Sequence, residues 1–259
     1  MSNQKIAFVT GVSSGIGLAV AKNLTAQGIA VFGCARDAER VATVMKELRD
    51  EGHTAEGTSC DVTSPADIQA AVAAAVARFG RIDILVNNAG RGGGGEIATM
   101  DEAIWHEVFN TNVHSVFRVT REVLNAGGMA KSGWGRIINI ASTAGKQGVM
   151  LAAPYTASKH AVLGFTKSVG FELAKSGITV NAVCPGYVET PMAVRVRQGF
   201  AEYWGTTEEE VLAKFNAKIP LGRYSTPEEV AGLVGYLTTD AAAAITAQAL
   251  NVCGGLGNY

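Results

Sequence analysis

A short apolar run, Lys5–Thr10, leads directly into Gly11-Val12-Ser13-Ser14-Gly15-Ile16-Gly17, and Leu18–Ala26 then follows with helical spacing, ending near Gly28. No other feature restricts the fold as much. Ile6, Phe8 and Val9 make the first run read as a buried parallel strand. A strand that turns through glycines into a helix is the opening unit of a doubly wound sheet. It also aims the free N–H groups and positive dipole end of the helix at whatever lies in the turn. Glycines there let the backbone approach a pyrophosphate. The spacing is GxxxGxG, which differs from the commoner dinucleotide fingerprint GxGxxG.

Six further strand-like runs follow: Ile29–Ala35, Thr54–Cys60, Ile82–Val86, Arg136–Ala141, Ile178–Cys184 and Ala249–Cys253. Between them lie helical patterns at Val41–Arg49, from Pro65 to Phe79, from Asp101 through Asn112, and from Tyr155 onward. Strands alternate with helices, without a linker or an internal repeat. The expectation is an α/β fold: one doubly wound, Rossmann-type domain over residues 1–259, with a parallel seven-stranded sheet flanked by helices.

Composition excludes several function classes. The formal net charge of -1 gives no global attraction to nucleic acid or an anionic membrane. No apolar run reaches the length of a membrane span, and Met1-Ser2-Asn3-Gln4-Lys5 enters the first strand without the apolar region of a signal peptide, so a cytoplasmic protein is expected. Cys34, Cys60, Cys184 and Cys253 show no metal-ligand spacing, nor do His53, His106, His114 and His160. Reduced, buried thiols and no metal are expected.

Several residues at predicted strand ends carry chemical meaning. Arg36 ends the second strand, where an arginine accommodates a ribose 2′-phosphate and an acid would hold a 2′-hydroxyl. This favours NADPH, although Asp37 stands one residue away. Asp61 ends the third strand within reach of an adenine. Asn87-Asn88-Ala89-Gly90 ends the fourth, either to receive a flat ring or to tie strands together. Arg91-Gly92-Gly93-Gly94-Gly95 reads as a flexible loop at the same edge. Ser142 ends the fifth strand, and Tyr155 and Lys159, four residues apart, share one helix face. A phenol beside an ammonium is a poised proton donor, because positive charge favours the phenolate. A helix-surface pair is the alternative for those two residues alone.

Taken in order, Thr10-Gly11-x-x-x-Gly15-Ile16-Gly17, Asn87-Asn88-Ala89-Gly90, Asn112, Ser142, Tyr155-x-x-x-Lys159 and Pro185-Gly186 resemble the short-chain dehydrogenase/reductase family from Lys5 to the end. Within that family the chain is similar to the ketoreductases of aromatic (type II) polyketide synthesis. The likeness is carried by Asn139–Gly148, Ala152–Tyr155, Val183–Met192 and the tail Ala247–Tyr259. The resemblance implies hydride transfer from NADPH to a ketone, with Tyr155 as general acid, Ser142 on the carbonyl oxygen and Lys159 on the nicotinamide ribose. Asn112 would hold a relay water; an asparagine bonding its own helix backbone is the alternative. Cofactor contacts would extend over Thr10, Gly11, Ser13, Ser14, Gly15, Ile16, Gly17, Arg36, Asp61, Val62, Asn88, Gly90, Tyr155, Lys159, Pro185, Gly186, Val188 and Thr190.

Residues 186–220 form a lid-like excursion whose Met192, Phe200, Tyr203 and Trp204 suit a folded polyketide; ordinary packing is the alternative. Substrate contacts are expected from Arg91, Gly93, Gln147, Met192 and Phe200, with Arg91 meeting the phosphopantetheine of an acyl carrier protein. A homotetramer is the family habit. One departure stands out: Gly92-Gly93-Gly94 replaces the Pro-Gly-Gly of the aromatic ketoreductases, which leaves product handedness open. Two competing functions are a β-ketoacyl carrier-protein reductase of fatty acid synthesis and a non-catalytic dinucleotide-sensing regulator.

Overall fold

The structure is a computed structural model that describes residues 4–257. Met1–Asn3, and the Asn258 and Tyr259 that close the expected tail likeness, lie outside the described residues. Seven parallel strands run in the order β3-β2-β1-β4-β5-β6-β7. They are β1 (Ile6–Thr10), β2 (Ala30–Ala35), β3 (Ala55–Ser59), β4 (Ile84–Asn87), β5 (Gly135–Ile140), β6 (Ile178–Pro185) and β7 (Ala249–Val252). Each lies within two residues of its expected bounds. The five inner strands are buried end to end, whereas the edge strands β3 and β7 are partly exposed, as a sheet covered on both faces requires.

Alternate side chains feed two cores. Ala7 and Val9 of β1 and Ile138 and Ile140 of β5 pack with Val20 and Leu24 of α1 (Gly15–Ala26), Val41, Val44 and Leu48 of α2 (Ala38–Asp50), and later with Val230 and Val234. Phe8 and Ile137 face the other way, onto Ile68, Val72 and Ala75 of α3 (Pro65–Phe79) and onto Val119 and Val123. Each fully buried aliphatic or aromatic side chain contributes about 1.5–3 kcal/mol.

The stretch expected as one helix from Asp101 is broken. It comprises α4 (Glu102–Phe109), a π-turn at Asn110–His114, and α5 (Ser115–Asn125). The extra residue in that turn re-aims the side chains around Asn112, which the 3.6-residue period does not reveal. The helix α6 (Ala153–Leu173) starts two residues before Tyr155, with Pro154 in its first turn. After β6 come α7 (Pro191–Trp204), α8 (Glu208–Asn216) and α9 (Pro227–Leu237), the last opened by a Thr226–Glu229 capping box.

The helices α7 and α8 have their own core, in which Val211, Phe215, Ile219 and Tyr224 are buried against Tyr187, Phe200 and Trp204. The buried Arg197 guanidinium ties this unit to the chain leaving β6, donating to both carboxylate oxygens of Glu189 at 2.8 and 2.9 Å and to Glu208 at 2.9 Å. Among the described residues no helix is long and apolar enough to cross a membrane, no group of side chains could hold a metal, and the four cysteines are free and buried.

Candidate active site

The strand order reverses between β1 and β4, and the functional residues gather at the carboxyl ends of the strands beside that switch point. Gly11 (φ +74°) and Gly15 (φ +54°) shape the turn after β1. A Cβ on Gly17 would stand 2.1 Å from the Gly11 carbonyl oxygen, so a glycine alone lets α1 come this close. Asn88 braces the turn. Its side-chain amide donates to the carbonyls of Thr10 (2.9 Å) and Gly11 (3.1 Å), while the backbone N–H groups of Asn88 and Ala89 donate to the Thr10 hydroxyl, both at 3.0 Å. Thr10 and the Asn88 amide therefore act mainly as scaffold.

The N-terminus of α1 is open. Ser14 makes no side-chain cap, whereas Asp37, Ser64, Asp101, Thr190, Thr207 and Thr226 each cap the helix that follows them. Uncapped first-turn N–H groups beside a glycine cradle are an anion site, and they fit the pyrophosphate of a dinucleotide. The far wall comes from the β6–α7 connection: a Cβ on Gly15 would lie 3.2 Å from the Thr190 methyl, and Val188 is buried behind it. Pro185 ends β6, and Gly186 donates its N–H to the Val252 carbonyl (3.0 Å).

The choice between Arg36 and Asp37 is decided by helix capping. The Asp37 carboxylate accepts from the Arg40 backbone N–H (2.9 Å) and is spent on α2, while Arg36 is exposed at the end of β2. Sequence reasoning missed Arg40, whose Nε donates to the Ser13 carbonyl (3.2 Å) and which adds a second guanidinium beside the glycine turn. The available signal was an arginine one helical turn beyond Arg36. Asp61 holds a local turn, one oxygen accepting from the Thr63 N–H (2.9 Å) and hydroxyl (2.8 Å), with Val62 buried next to it.

Ser142 leaves β5 and Tyr155 lies in the first turn of α6. The short turn between them, Thr143–Gly145, is pressed onto α6: a Cβ on Gly145 would be 2.8 Å from the Lys159 carbonyl oxygen. That approach sets the Ser142 hydroxyl, which also accepts from the Ala144 N–H (3.1 Å), near enough to the Tyr155 phenol to favour its ionised form. Lys159, one turn along, is buried; its Nζ donates to the Ile140 carbonyl (2.8 Å) and stands 5.6 Å from the centre of the Tyr155 ring.

One expectation is corrected here. The Tyr155 phenol is raised above its ordinary value, because burial outweighs the lowering effect of the Ser142 hydroxyl. Burial also lowers Lys159 from 10.5 to about 8. The ammonium is engaged by the Ile140 carbonyl rather than by the phenol, and a desolvated cation at this range does not draw the tyrosine down.

Asn112 does not bond its own helix, so that alternative is overturned. Its Oδ1 accepts from the Arg91 N–H (2.8 Å), and its amide donates to the Arg91 carbonyl and the Ser158 hydroxyl, each at 3.0 Å. The side chain clamps the loop after β4 onto α6; both amide protons are used, and one lone pair of Oδ1 is left to accept from a water. A Cβ on Gly90 would lie 3.3 Å from Asn112 Oδ1 and 3.8 Å from Lys159 Nζ, which puts these three residues at one point. Asn87 takes the structural alternative, donating to Thr120 (3.0 Å) and Asn139 (2.9 Å).

A cradle at a strand-to-helix turn and a serine–tyrosine–lysine cluster two strands along coincide with a match to the family model for short chain dehydrogenase over residues 5–200. The chain is a short-chain dehydrogenase. It is 64% identical over 258 residues to a Streptomyces virginiae protein named for the ketoacyl reductase of the monensin polyketide synthase, covering 100% of this chain and 99% of that one. It is 57% identical to a ketoacyl reductase of Streptomyces coelicolor, covering 99% and 98%. A 3-oxoacyl acyl-carrier-protein reductase of Vibrio cholerae is more distant, at 39% with 97% of each covered. Among solved structures, a variant of the actinorhodin polyketide ketoreductase crystallised with NADPH superposes with a TM-score of 0.97 at 57% identity, covering 99% of this chain and 98% of that one.

On the substrate side this short-chain dehydrogenase departs from several expectations. The glycine loop is pinned rather than free. Gly93 packs where a Cβ would lie 2.5 Å from Val108 Cγ2, and at Gly94 it would lie 1.8 Å from the Leu151 carbonyl oxygen. That carbonyl accepts from the Gly95 N–H (2.9 Å), and Leu151 itself is held at φ +60°. Arg91 is not free either, since its guanidinium pairs with Glu107. Phe200 turns inward, 4.9 Å from the Trp204 ring and 5.3 Å from Phe215, so it belongs to the core of the excursion. Met192 and Gln147 are half-buried, the former in the first turn of α7 and the latter beyond the Ser142 turn. Tyr203, exposed on α7, donates to Glu96 (3.1 Å) and joins the excursion to the glycine loop.

Proposed function

We propose that the chain is an NADPH-dependent ketoreductase that converts a ketone of an aromatic polyketide intermediate to a secondary alcohol. The observation that carries this is the convergence of Ser142, at the end of β5, with Tyr155 and buried Lys159 on α6, at the carboxyl ends of the strands where α1 opens uncapped. The residues fit the cofactor: the glycine turn and free α1 N–H groups for the pyrophosphate, Arg36 and Arg40 for a 2′-phosphate, and Thr190 and Val188 along the far wall. When bound, NADPH supplies the hydride. Tyr155, holding its proton firmly through burial, delivers it to the oxygen as negative charge develops there. Ser142 fixes that oxygen, a contact that strengthens towards the alkoxide. Lys159 keeps positive charge beneath both, and Asn112 with Ser158 holds the floor of the site in register.

The 57–64% identity along the whole chain to polyketide ketoacyl reductases supports the substrate class over a fatty-acid β-ketoacyl reductase, whose relatives stand at 39%. Residues 186–220 serve as the lid, with Met192 on the substrate side and the Tyr203–Glu96 hydrogen bond as its latch. Delivery by an acyl carrier protein, a cytoplasmic location and a homotetramer complete the reading; exposed Trp105, Phe117 and Phe171 on α4, α5 and α6 support self-association.

The test is product analysis after incubation with NADPH and a minimal polyketide synthase, paired with Tyr155→Phe. Loss of about 100-fold or more in turnover with unchanged NADPH binding is expected. Near wild-type reduction by that variant would overturn the assignment of the acid, and faster turnover on a linear β-ketoacyl thioester than on a bicyclic ketone would overturn the substrate class.

A further inference from the structure

At the opposite, amino-terminal ends of the strands, where β5 and β6 begin, lies a cavity of about 350 Å³ lined by Trp134, Arg136, Ile178, Thr179, Asp240 and Thr246 among others. Arg136 is 2% exposed, and its burial is incompletely compensated. One terminal nitrogen donates to the Gly135 carbonyl (2.9 Å), Nε has no partner, and the nearest carboxylate, Asp240, is 3.8 Å away on a side chain 93% exposed. Burial lowers the guanidinium from its ordinary value, with Asp240 only partly opposing. An arginine cannot shed its proton near neutral pH, so this one stays charged. A buried, hydrogen-bond-deficient cation is a costly thing to keep.

The surroundings suit an anion. The Thr246 hydroxyl accepts from the Val180 N–H (3.1 Å), which leaves its own proton to donate. Thr179, opposite Arg136 in the β5–β6 register, also lines the cavity. Both Arg136 and Lys5 lie over the Trp134 ring, at 4.3 and 3.7 Å from its centroid, which concentrates positive charge at this end. The rest of the wall is small and apolar: Ala174, Gly177, Ile178 and Ala243.

We propose that this cavity binds a monocarboxylate, its oxygens taken by Arg136 and the two threonine hydroxyls and its short apolar tail lying on Ile178 and Ala243. One guanidinium matches one negative charge, and the planar fork of arginine matches a carboxylate. The source is either a free small acid or a carboxylate of a second copy of the chain. Asp240 competes weakly for the same cation, as an exposed ion pair does.

The test uses NADPH-saturated protein, so that the dinucleotide site is filled, and titrates sodium butyrate against matched sodium chloride. A saturable rise in Tm with butyrate alone is expected for the wild type and is lost in Arg136→Met. Asp240→Asn, a change at an exposed position, is expected to lower the butyrate midpoint about two- to fivefold, the worth of the exposed pair it removes. Should Arg136→Met fail to fold, Thr179→Val carries the loss arm. Ketone reduction stays unchanged in Asp240→Asn. Assembly that dissociates as butyrate saturates assigns the carboxylate to a second copy, and unchanged assembly assigns it to a free acid. Equal responses to butyrate and chloride, or a butyrate midpoint that Asp240→Asn leaves where it was, overturn the proposal.

Discussion

The ammonium of Lys159 ordinarily titrates near 10.5 and in the folded chain near about 8, with burial as the leading cause. At about 1.36 kcal/mol per pH unit, that gap corresponds to about 3 kcal/mol of folding stability withheld while the lysine is charged. Between about pH 8 and 10.5 the unfolded chain binds the extra proton, so stability must rise with pH across this window and the penalty is complete below it. Lys159→Met keeps most of the aliphatic stem and removes the titration. It also strands the Ile140 carbonyl, a cost that does not depend on pH. The informative quantity is thus the wild-type stability minus that of Lys159→Met, from urea unfolding of the cofactor-free proteins at several pH values. Other groups that titrate at high pH largely cancel in that difference, Cys184 excepted, because its raised thiol is coupled to the Lys159 ammonium. The difference should climb by about 3 kcal/mol from pH 7 to 10.5. A flat profile, or one that falls, would refute the claim that the protein holds a desolvated cation at its centre.

Arg36→Ala should weaken NADPH about 10- to 100-fold while leaving NADH nearly unchanged, as expected for a lost charge-assisted contact, and fluorescence titration with both cofactors checks this. Arg197→Met leaves Glu189 and Glu208 unpaired; since those carboxylates are half- and one-third exposed, the cost should be about 2 kcal/mol, read as a Tm drop of about 4–8 °C. Gly94→Ala puts a methyl into the Leu151 carbonyl just ahead of the Tyr155 helix, so kcat should fall at least tenfold with NADPH binding intact, a split measured by steady-state kinetics and equilibrium titration.

What could be read from the sequence was whatever depends on local pattern. Strand positions held to within two residues because buried parallel strands need runs rich in apolar β-formers, which β1 and β2 have throughout and β5 and β6 have around single polar residues. The glycine turn was legible because a helix can approach a strand end this closely only over Gly17. The misses share a different origin, since each turns on a partner far away in sequence. Phe200 looked like a substrate contact until Phe215 and Trp204 claimed its ring. The freedom of the glycine loop disappeared against Leu151 and Val108. Asn112 could be placed on a helix, but its π-turn and its hold on Arg91 and Ser158 depend on a packing that no periodicity encodes.

The direction of the Tyr155 and Lys159 perturbations bears on how the reaction is held in check. Both groups are displaced towards their neutral forms by the same burial, so the cofactor-free site stabilises neither a phenolate nor an ammonium. In the proposed mechanism a ketone reaching Tyr155 meets a reluctant acid unless negative charge is growing on the oxygen beside Ser142. That charge appears only as the carbonyl is reduced, when it favours both the Tyr155 proton transfer and the Lys159 cation beneath. The hydrogen bonds fixing this arrangement run from Lys159 to Ile140 and from Asn112 to Ser158, and from Ser158 to the Tyr155 carbonyl at 2.7 Å. The positioning therefore comes from β5, the π-turn and α6, whose geometry is set before any substrate enters, and the electrostatic reward is reserved for the transition state.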